Sequence, residues 1–292
     1  MTIKRMGVLA HPTRAQTAPV AERIAQSLQA RGLDVWHYDQ WDDDAVRPLI
    51  AGTDMVVAIG GDGAMLRAAR VCAPFNVPLL GVNMGHLGFL TEIQRPDDWE
   101  ASIESILSER CWIEKRMMID VTASNQDGVI ARSDALNDVV ISRGAVTHTI
   151  QLDTYIDRYW TTSYNADALI IATATGSTAY ALATGGPILP PELRNILVVP
   201  VAPHLSLDRP IVLPEGAMVE VVVTPDSQTD IILATDGIQM CELCSGDRIH
   251  VKASDHISQF VRLREKNYFY RSLLDRFEPR APEPSTPIKK QL

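Results

Sequence analysis

Residues 56–66 constrain this chain more than any other stretch. Val56-Val57-Ala58-Ile59 is an apolar run without polar alternation, the pattern of a strand buried on both faces of a parallel sheet. Gly60-Gly61-Asp62-Gly63 follows at once, and Ala64 to Val71 is then rich in good helix formers. A strand that turns into a helix through glycines leaves backbone N–H groups approachable, which suits an anion such as phosphate. Asp62 does not suit a bare phosphate cradle, because its carboxylate repels one. It belongs there if it binds a hydroxyl, accepts a proton or works through a metal ion, and that combination reads as a kinase loop. The plainer alternative is a tight turn in which Asp62 caps the helix.

Two familiar phosphate loops are excluded by spacing. Leu66 stands where the dinucleotide fingerprint needs its third glycine, and G-x-x-x-x-G-K-[ST] occurs nowhere in the chain. Around the loop, segments alternate. Residues 4–10 read as a first strand, and 18–31 as a helix with Val20, Ile24 and Leu28 on one face. Strands are expected at 33–38, 55–59 and 78–82, and a helix at 96–110. The acidic run Asp42-Asp43-Asp44 caps or precedes a short helix, or is a solvated loop. Alternation of this kind predicts a doubly wound parallel sheet, with the ligand beyond the carboxyl ends of the strands, where Gly60–Gly63 lies. His86, in the glycine-punctuated loop after the 78–82 strand, is expected to be structural.

After residue 111 the texture changes to short β-branched segments separated by turns such as Gln126-Asp127-Gly128. This reads as a mostly β second domain of packed sheets. The expected organisation is an α/β domain over 1–110, a β-rich domain over 111–264, a helix over 265–278 that packs back on the first domain, and a proline-rich disordered tail over 279–292. At 292 residues with 46% hydrophobic and 22% charged residues, the chain has ample material for two cores. Its net charge of −9 argues against wholesale binding of nucleic acid or an anionic membrane. No apolar run approaches the roughly 20 residues that span a bilayer, and the reading is of a cytoplasmic protein. Cys241 and Cys244 have C-x-x-C spacing without a second pair, so ordinary structural cysteines are expected.

Two stretches of the β domain carry polar groups that need partners. In Leu136-Asn137-Asp138-Val139-Val140, an Asn–Asp pair precedes an apolar strand. Together they suit a ribose diol or an adenine edge, or else they bond local backbone in a turn. In Ala168–Tyr180, an apolar strand runs into Thr173-Ala174-Thr175-Gly176-Ser177-Thr178-Ala179-Tyr180. That is a small, hydroxylated surface for a nucleotide, with Tyr180 able to stack on a base, or a set of caps for the next helix.

With these residues in order, the chain resembles the NAD kinase family. The resemblance rests on Gly60-Gly61-Asp62-Gly63, on Asn83, Gly85 and Leu87-Gly88-Phe89-Leu90, on Leu136–Val140, and on Thr175–Tyr180 with Gly185-Gly186-Pro187-Ile188. Pro203-His204 and Arg209-Pro210 add to it. It implies phosphoryl transfer from ATP, with Mg²⁺, to the 2′-hydroxyl of the adenosine ribose of NAD, in a homo-oligomer. It implies Asp62 as general base; from the loop itself, the donor phosphates are expected on the N–H groups around Gly60, Gly61 and Gly63, with Arg67 beside them. Gly63, Asn137, Asp138, Asp167, Thr175, Thr178, Ala179, Tyr180, Ala181, Leu182 and Ala183 would line the dinucleotide pocket, joined by His148 and Asn165. His204 stands near a bound base or is structural. Arg70, like Arg67, stabilises transferring charge or is a surface residue.

Several positions depart from the pattern. Ala64 stands where threonine is usual, Ala168 where glycine is common and Ala174 where proline is common. Asn165 takes the place of a pocket arginine, and Ile238 follows Asp236-Gly237 where glutamine is usual. The last two bear on discrimination between NAD and NADH. Two other readings stay open: a lipid or sugar-phosphate kinase with the same loop, and a nucleotide-binding sensor without catalysis.

Overall fold

The computed structural model describes residues 3–11, 16–40, 42–85, 88–144, 148–225, 227 and 230–277. His86 and the 279–292 tail therefore lie outside the described residues. The first half alternates as expected: β1 (Arg5–Ala10), α1 (Thr17–Gln29), β2 (Asp34–Tyr38), α2 (Asp43–Ile50), β3 (Met55–Gly60), α3 (Asp62–Cys72), β4 (Leu79–Asn83) and α4 (Trp99–Leu107). The strands are parallel in the order β2-β1-β3-β4. The unalternating sequence of β3 has a direct cause. Val56 and Ala58 pack with Met65, Ala68 and Ala69 of α3, whereas Met55, Val57 and Ile59 pack with Ile24 and Leu28 of α1 and Trp99 and Ile103 of α4. The acidic run opens α2, with the Asp42 carboxylate accepting from the N–H groups of Asp44 and Ala45.

The second half holds β5 (Trp112–Asn125), β6 (Gly128–Ala135), β7 (Asp138–Arg143), β8 (Ile150–Ile156), β9 (Tyr159–Ala166), β10 (Ala168–Thr173), the short α5 (Tyr180–Ala183), β11 (Asn195–Val201), β12 (Ile211–Pro214), β13 (Val219–Val223), β14 (Ile231–Thr235), β15 (Ile238–Leu243), β16 (Arg248–Arg262) and α6 (Tyr268–Phe277). One antiparallel sheet runs β12-β11-β10-β7-β14-β15. The other strands extend the parallel sheet, because the end of β16 pairs with β4 at Phe260 and Leu79. Between the layers lies a large core with Ile119, Val121, Val139, Ile171, Val198, Val219 and Ile249 at its centre.

Four strands escape sequence pattern: β6, β9 and β15 expose apolar or aromatic side chains, as at Val129, Tyr159, Trp160 and Ile238, which breaks the alternation of a half-buried strand, and β12 is only four residues long. Conversely, the separate strands expected at 248–251 and 260–263 are one strand, β16, which ends at Arg262 and is broken in pattern by a register shift between Ala253 and Ile257. All four cysteines are free thiols. Helix α6 turns back onto the first half, where the Phe269 ring lies 5.9 Å from that of Phe89.

Candidate active site

The loop after β3 gives α3 a glycine cap. Gly61 occupies the N-cap position without a side-chain hydrogen bond, and Asp62 is the first helical residue. Gly60 approaches the helix so closely that a Cβ there would sit 2.6 Å from that of Ala64. The Asp62 carboxylate does not cap its own helix. It is turned onto the loop after β4, where Oδ2 accepts the Phe89 N–H at 2.9 Å and Oδ1 the Leu90 N–H at 3.1 Å. Gly88 makes this approach possible, since a Cβ on it would lie 1.9 Å from Asp62 Oδ1. Each carboxylate oxygen keeps a further lone pair for an incoming hydroxyl. Asp62 and Gly61 are half-buried and Gly63 is exposed, so the loop is fixed yet open to a ligand.

The Asn137-Asp138 pair stands at the entry to β7 on a turn shaped by a residue that sequence reasoning gave no role. Asp236, in the β14–β15 hairpin, accepts the N–H groups of Leu136 at 2.9 Å, Asn137 at 2.7 Å and Asp138 at 3.2 Å. Its own N–H donates to the Asp138 carbonyl at 2.9 Å. The readable signal was the Asp236-Gly237 dipeptide, a hairpin turn sequence. The carboxyl groups of Asp138 and Asp236 are both buried, which raises the pKa of each. Three N–H bonds offset this for Asp236. Asp138 has no such support, and burial, then the Asp236 charge, pushes it up to about 7.

The hydroxylated stretch after β10 is tied to this turn. The Thr173 N–H donates to the Asn137 carbonyl at 2.8 Å, and its hydroxyl donates to the Leu136 carbonyl at 2.5 Å. A Cβ on Gly176 would sit 2.1 Å from the Asn137 carbonyl oxygen, so glycine is required there too. Thr175 is buried, and its hydroxyl oxygen accepts from Arg116 at 3.4 Å. Thr178 and Ala179 are half-buried, Tyr180 is 45% exposed, Leu182 is half-buried and Ala183 exposed. Ala181 instead points into the core beside Ile170 and Leu197. Leu136 packs in one cluster with Leu90 and with Ala64, Met65 and Ala68 of α3. That cluster brings the Asp62 and Asn137 segments together on one apolar base, and the Thr173 hydrogen bonds attach the Thr175 segment to it.

Three predicted residues lie elsewhere. Asp167 precedes β10, and Ala172 at the far end of that strand is opposite Asp138. Five residues of extended chain separate them, about 16 Å. Asp167 accepts from Arg143 Nε at 3.0 Å. Asn165 has a buried side-chain oxygen without a hydrogen-bond partner among the described residues, and its carbonyl accepts the His204 N–H at 2.7 Å. His148 is exposed. Beside His204, Leu205 is 96% exposed. Arg67 is half-buried on α3. Arg70 is eight residues past Asp62, about 12 Å along the helix axis, and pairs with Asp43 at 3.3 Å. A cavity of about 870 Å³ opens at that distant end of α3, lined by Asp43, Arg47, Arg70, Asp134, Ile238 and His256 among others and by none of Gly60–Gly63. The cavity and the convergence of polar loops therefore lie at different places.

The chain matches two family models, the ATP-NAD kinase N-terminal domain over residues 13–111 and the ATP-NAD kinase C-terminal domain over 136–263. It is 38% identical to the NAD kinase of Caldanaerobacter subterraneus over 276 residues, covering 91% of this chain and 96% of that one. It is 37% identical to that of Chloroflexus aurantiacus over 274 residues, covering 94% and 98%. Among solved structures, yeast NADH kinase complexed with NADH superimposes with a TM-score of 0.84 at 23% identity, covering 98% of this chain and 91% of that one. An Archaeoglobus fulgidus NAD kinase in complex with ATP gives 0.72 at 24% identity, covering 92% and 97%. The two structures share the fold, and the models and relatives carry the assignment: the chain belongs to the NAD kinase family.

Proposed function

We propose that this protein transfers the γ-phosphoryl group of ATP to the 2′-hydroxyl of the adenosine ribose of NAD, with Asp62 as the general base. The observation that carries the reading is the seat of Asp62. Its carboxylate is oriented by two backbone N–H groups at a glycine-rich helix start, beyond the carboxyl end of β3. The 2′-oxygen attacks the γ-phosphorus, the bond to the β-phosphate oxygen breaks, ADP leaves, and the hydroxyl proton passes to an Asp62 carboxylate oxygen. The N–H groups around Gly60, Gly61 and Gly63 receive the donor phosphates, and Arg67 lies one to two turns further along α3. Asn137, Asp138, Thr175, Thr178, Ala179 and Tyr180 form the surface for the adenosine.

Among the described residues no three His, Cys, Asp or Glu side chains converge as a metal site. Mg²⁺ fits this chain as the partner of the nucleotide, held mainly by phosphate oxygens, where it offsets their charge. The Asn165–Asp167 end of the sheet is too far from Asp138 to share a compact subsite within one copy. We place it, with His148 and exposed Leu205, at a neighbouring site in a homo-oligomer. No helix among the described residues is long and apolar enough to cross a membrane. The test is incubation with NAD, ATP and Mg²⁺: NADP and ADP should form in equal amounts. Binding of NAD without ADP release would replace this reading by that of a silent sensor.

A further inference from the structure

Beneath the site lies a group of charges that the reaction as proposed does not use. Glu114 and Arg116 project from β5, Arg262 ends β16 and Tyr268 starts α6. Arg116 is 2% exposed and Arg262 is fully buried. Arg262 Nε donates to Glu114 at 2.8 Å, Arg116 Nε to the same carboxylate at 2.9 Å, and Arg116 Nη2 to the Tyr268 hydroxyl at 2.6 Å. That hydroxyl donates to Glu114 at 2.8 Å. Arg262 also reaches Glu92 at 3.3 Å. Buried ion pairs seldom stabilise a fold more than apolar residues of the same volume would, so stability alone does not account for them. What they touch does.

Arg262 Nη1 donates to the Leu90 carbonyl at 3.0 Å, and Nη2 reaches the Phe89 carbonyl at 3.5 Å. Phe89 and Leu90 are the two residues whose N–H groups hold Asp62. The Phe89 carbonyl and the Leu90 N–H belong to one peptide group, so the guanidinium, that peptide and the Asp62 carboxylate stand in series, each bond polarising the next. At the other end Arg116 reaches the Thr175 hydroxyl at 3.4 Å.

We infer that Arg262 is a positioning residue for Asp62. It fixes the 89–90 backbone that aims the carboxylate, while Glu114 accepts from its guanidinium and, through Arg116, connects it to the Thr175 loop. Helix α6 closes the arrangement from behind through the Tyr268 hydroxyl. The inference rests on the reading of Asp62 as the base.

The experiment compares Arg262→Lys and Tyr268→Phe in the full-length chain, each in the parent and in an Asp62→Asn background, with NADP formation and thermal melting recorded together. Arg262→Lys keeps the charge and loses the fork. It should lower kcat by about 10- to 100-fold with the KM for NAD changed less than about twofold, because misplacement of a catalytic group acts on turnover. Tyr268→Phe should lower kcat by roughly three- to tenfold in the same manner, and it carries the test if the lysine variant does not fold. In the Asp62→Asn background neither substitution should reduce the residual rate further, since both act through the missing carboxylate. Unchanged kcat in the single variants, or the same fold-loss in both backgrounds, overturns the inference. Full activity of Asp62→Asn itself would instead overturn the reading of the base.

Discussion

Gly88→Ala is the substitution that reads the site geometry most sharply. The added Cβ would stand 1.9 Å from Asp62 Oδ1, 2.6 Å from Cγ and 2.9 Å from Oδ2, where real contacts do not fall below 3.0 Å. Relief requires the carboxylate or the 88–90 backbone to move by about 1.1 Å, the difference between 3.0 and 1.9 Å. A shift of that size takes the Phe89 and Leu90 N–H bonds, now 2.9 and 3.1 Å, towards or past the limit of hydrogen bonding. Hydrogen bonds to a charged group contribute about 1.5–3 kcal/mol each, partly recovered here by water, so a stability loss on the order of 2 kcal/mol is expected. The kinetic effect is larger, because about 1 Å of misplacement costs on the order of 100-fold in rate. The substitution tests the space between Gly88 and the Asp62 carboxylate. A coupled dehydrogenase assay for NADP, run beside thermal melting, measures both effects. A kcat within twofold of the parent at unchanged Tm would refute the idea that the Gly88 gap sets the position of Asp62.

Two further outcomes follow from buried charge. The Asp138 carboxyl, raised by burial and by Asp236 from its ordinary 3.8 to about 7, binds its proton more tightly in the folded chain. The stability it contributes is complete below about pH 3.8 and is lost as pH rises towards 7. Asp138→Asn should therefore flatten the fall in Tm between pH 4 and 7 and raise Tm at pH 8 relative to the parent; an identical pH profile would contradict the buried pair. Glu114 is the opposite case. Burial would raise its pKa, but Arg116 and Arg262 hold it down to about 2, so its contribution is present above about pH 4.5 and lost as pH falls through 2. Glu114→Gln leaves two buried guanidinium groups short of a counter-charge and should cost about 3–5 kcal/mol in urea unfolding at pH 7. A change under about 0.5 kcal/mol, the usual range of a surface substitution, would refute that.

What was readable from sequence depended on whether a residue works through near neighbours in the chain. The strand–glycine–helix unit at 56–66 is local, and apolar run, turn and helix formers all agree there. Strand β9 was not readable, because Tyr159 and Trp160 lie exposed and break the alternation that marks a half-buried strand. At the site, Asp62 stood out as a charge in the wrong place for phosphate. Its true partners are 27 and 28 positions away in the chain, and no local pattern reports them. Asp236 sits 98–100 positions from the N–H groups it holds, and its Asp-Gly signature reads only as a turn. Glu114-Lys115-Arg116 looks like a solvated strand segment; only the arrival of β16 and α6, about 150 positions later, buries two of those charges. The separation of Asp167 from Asp138 is likewise a matter of register, since both flank strands that are neighbours in the sheet but begin at opposite ends.

The central claim is that Asp62 serves as the base and is not needed to bind the dinucleotide. It is tested most directly by measuring kcat for NADP formation and the Kd for NAD on the same preparation of Asp62→Asn. Loss of general-base catalysis lowers rate by about 10²–10⁴-fold, and NAD should still bind within a few-fold of the parent because Asn137, Asp138 and the Thr175 loop are untouched. Turnover equal to the parent's, or loss of NAD binding large enough to account for the lost rate, would contradict it.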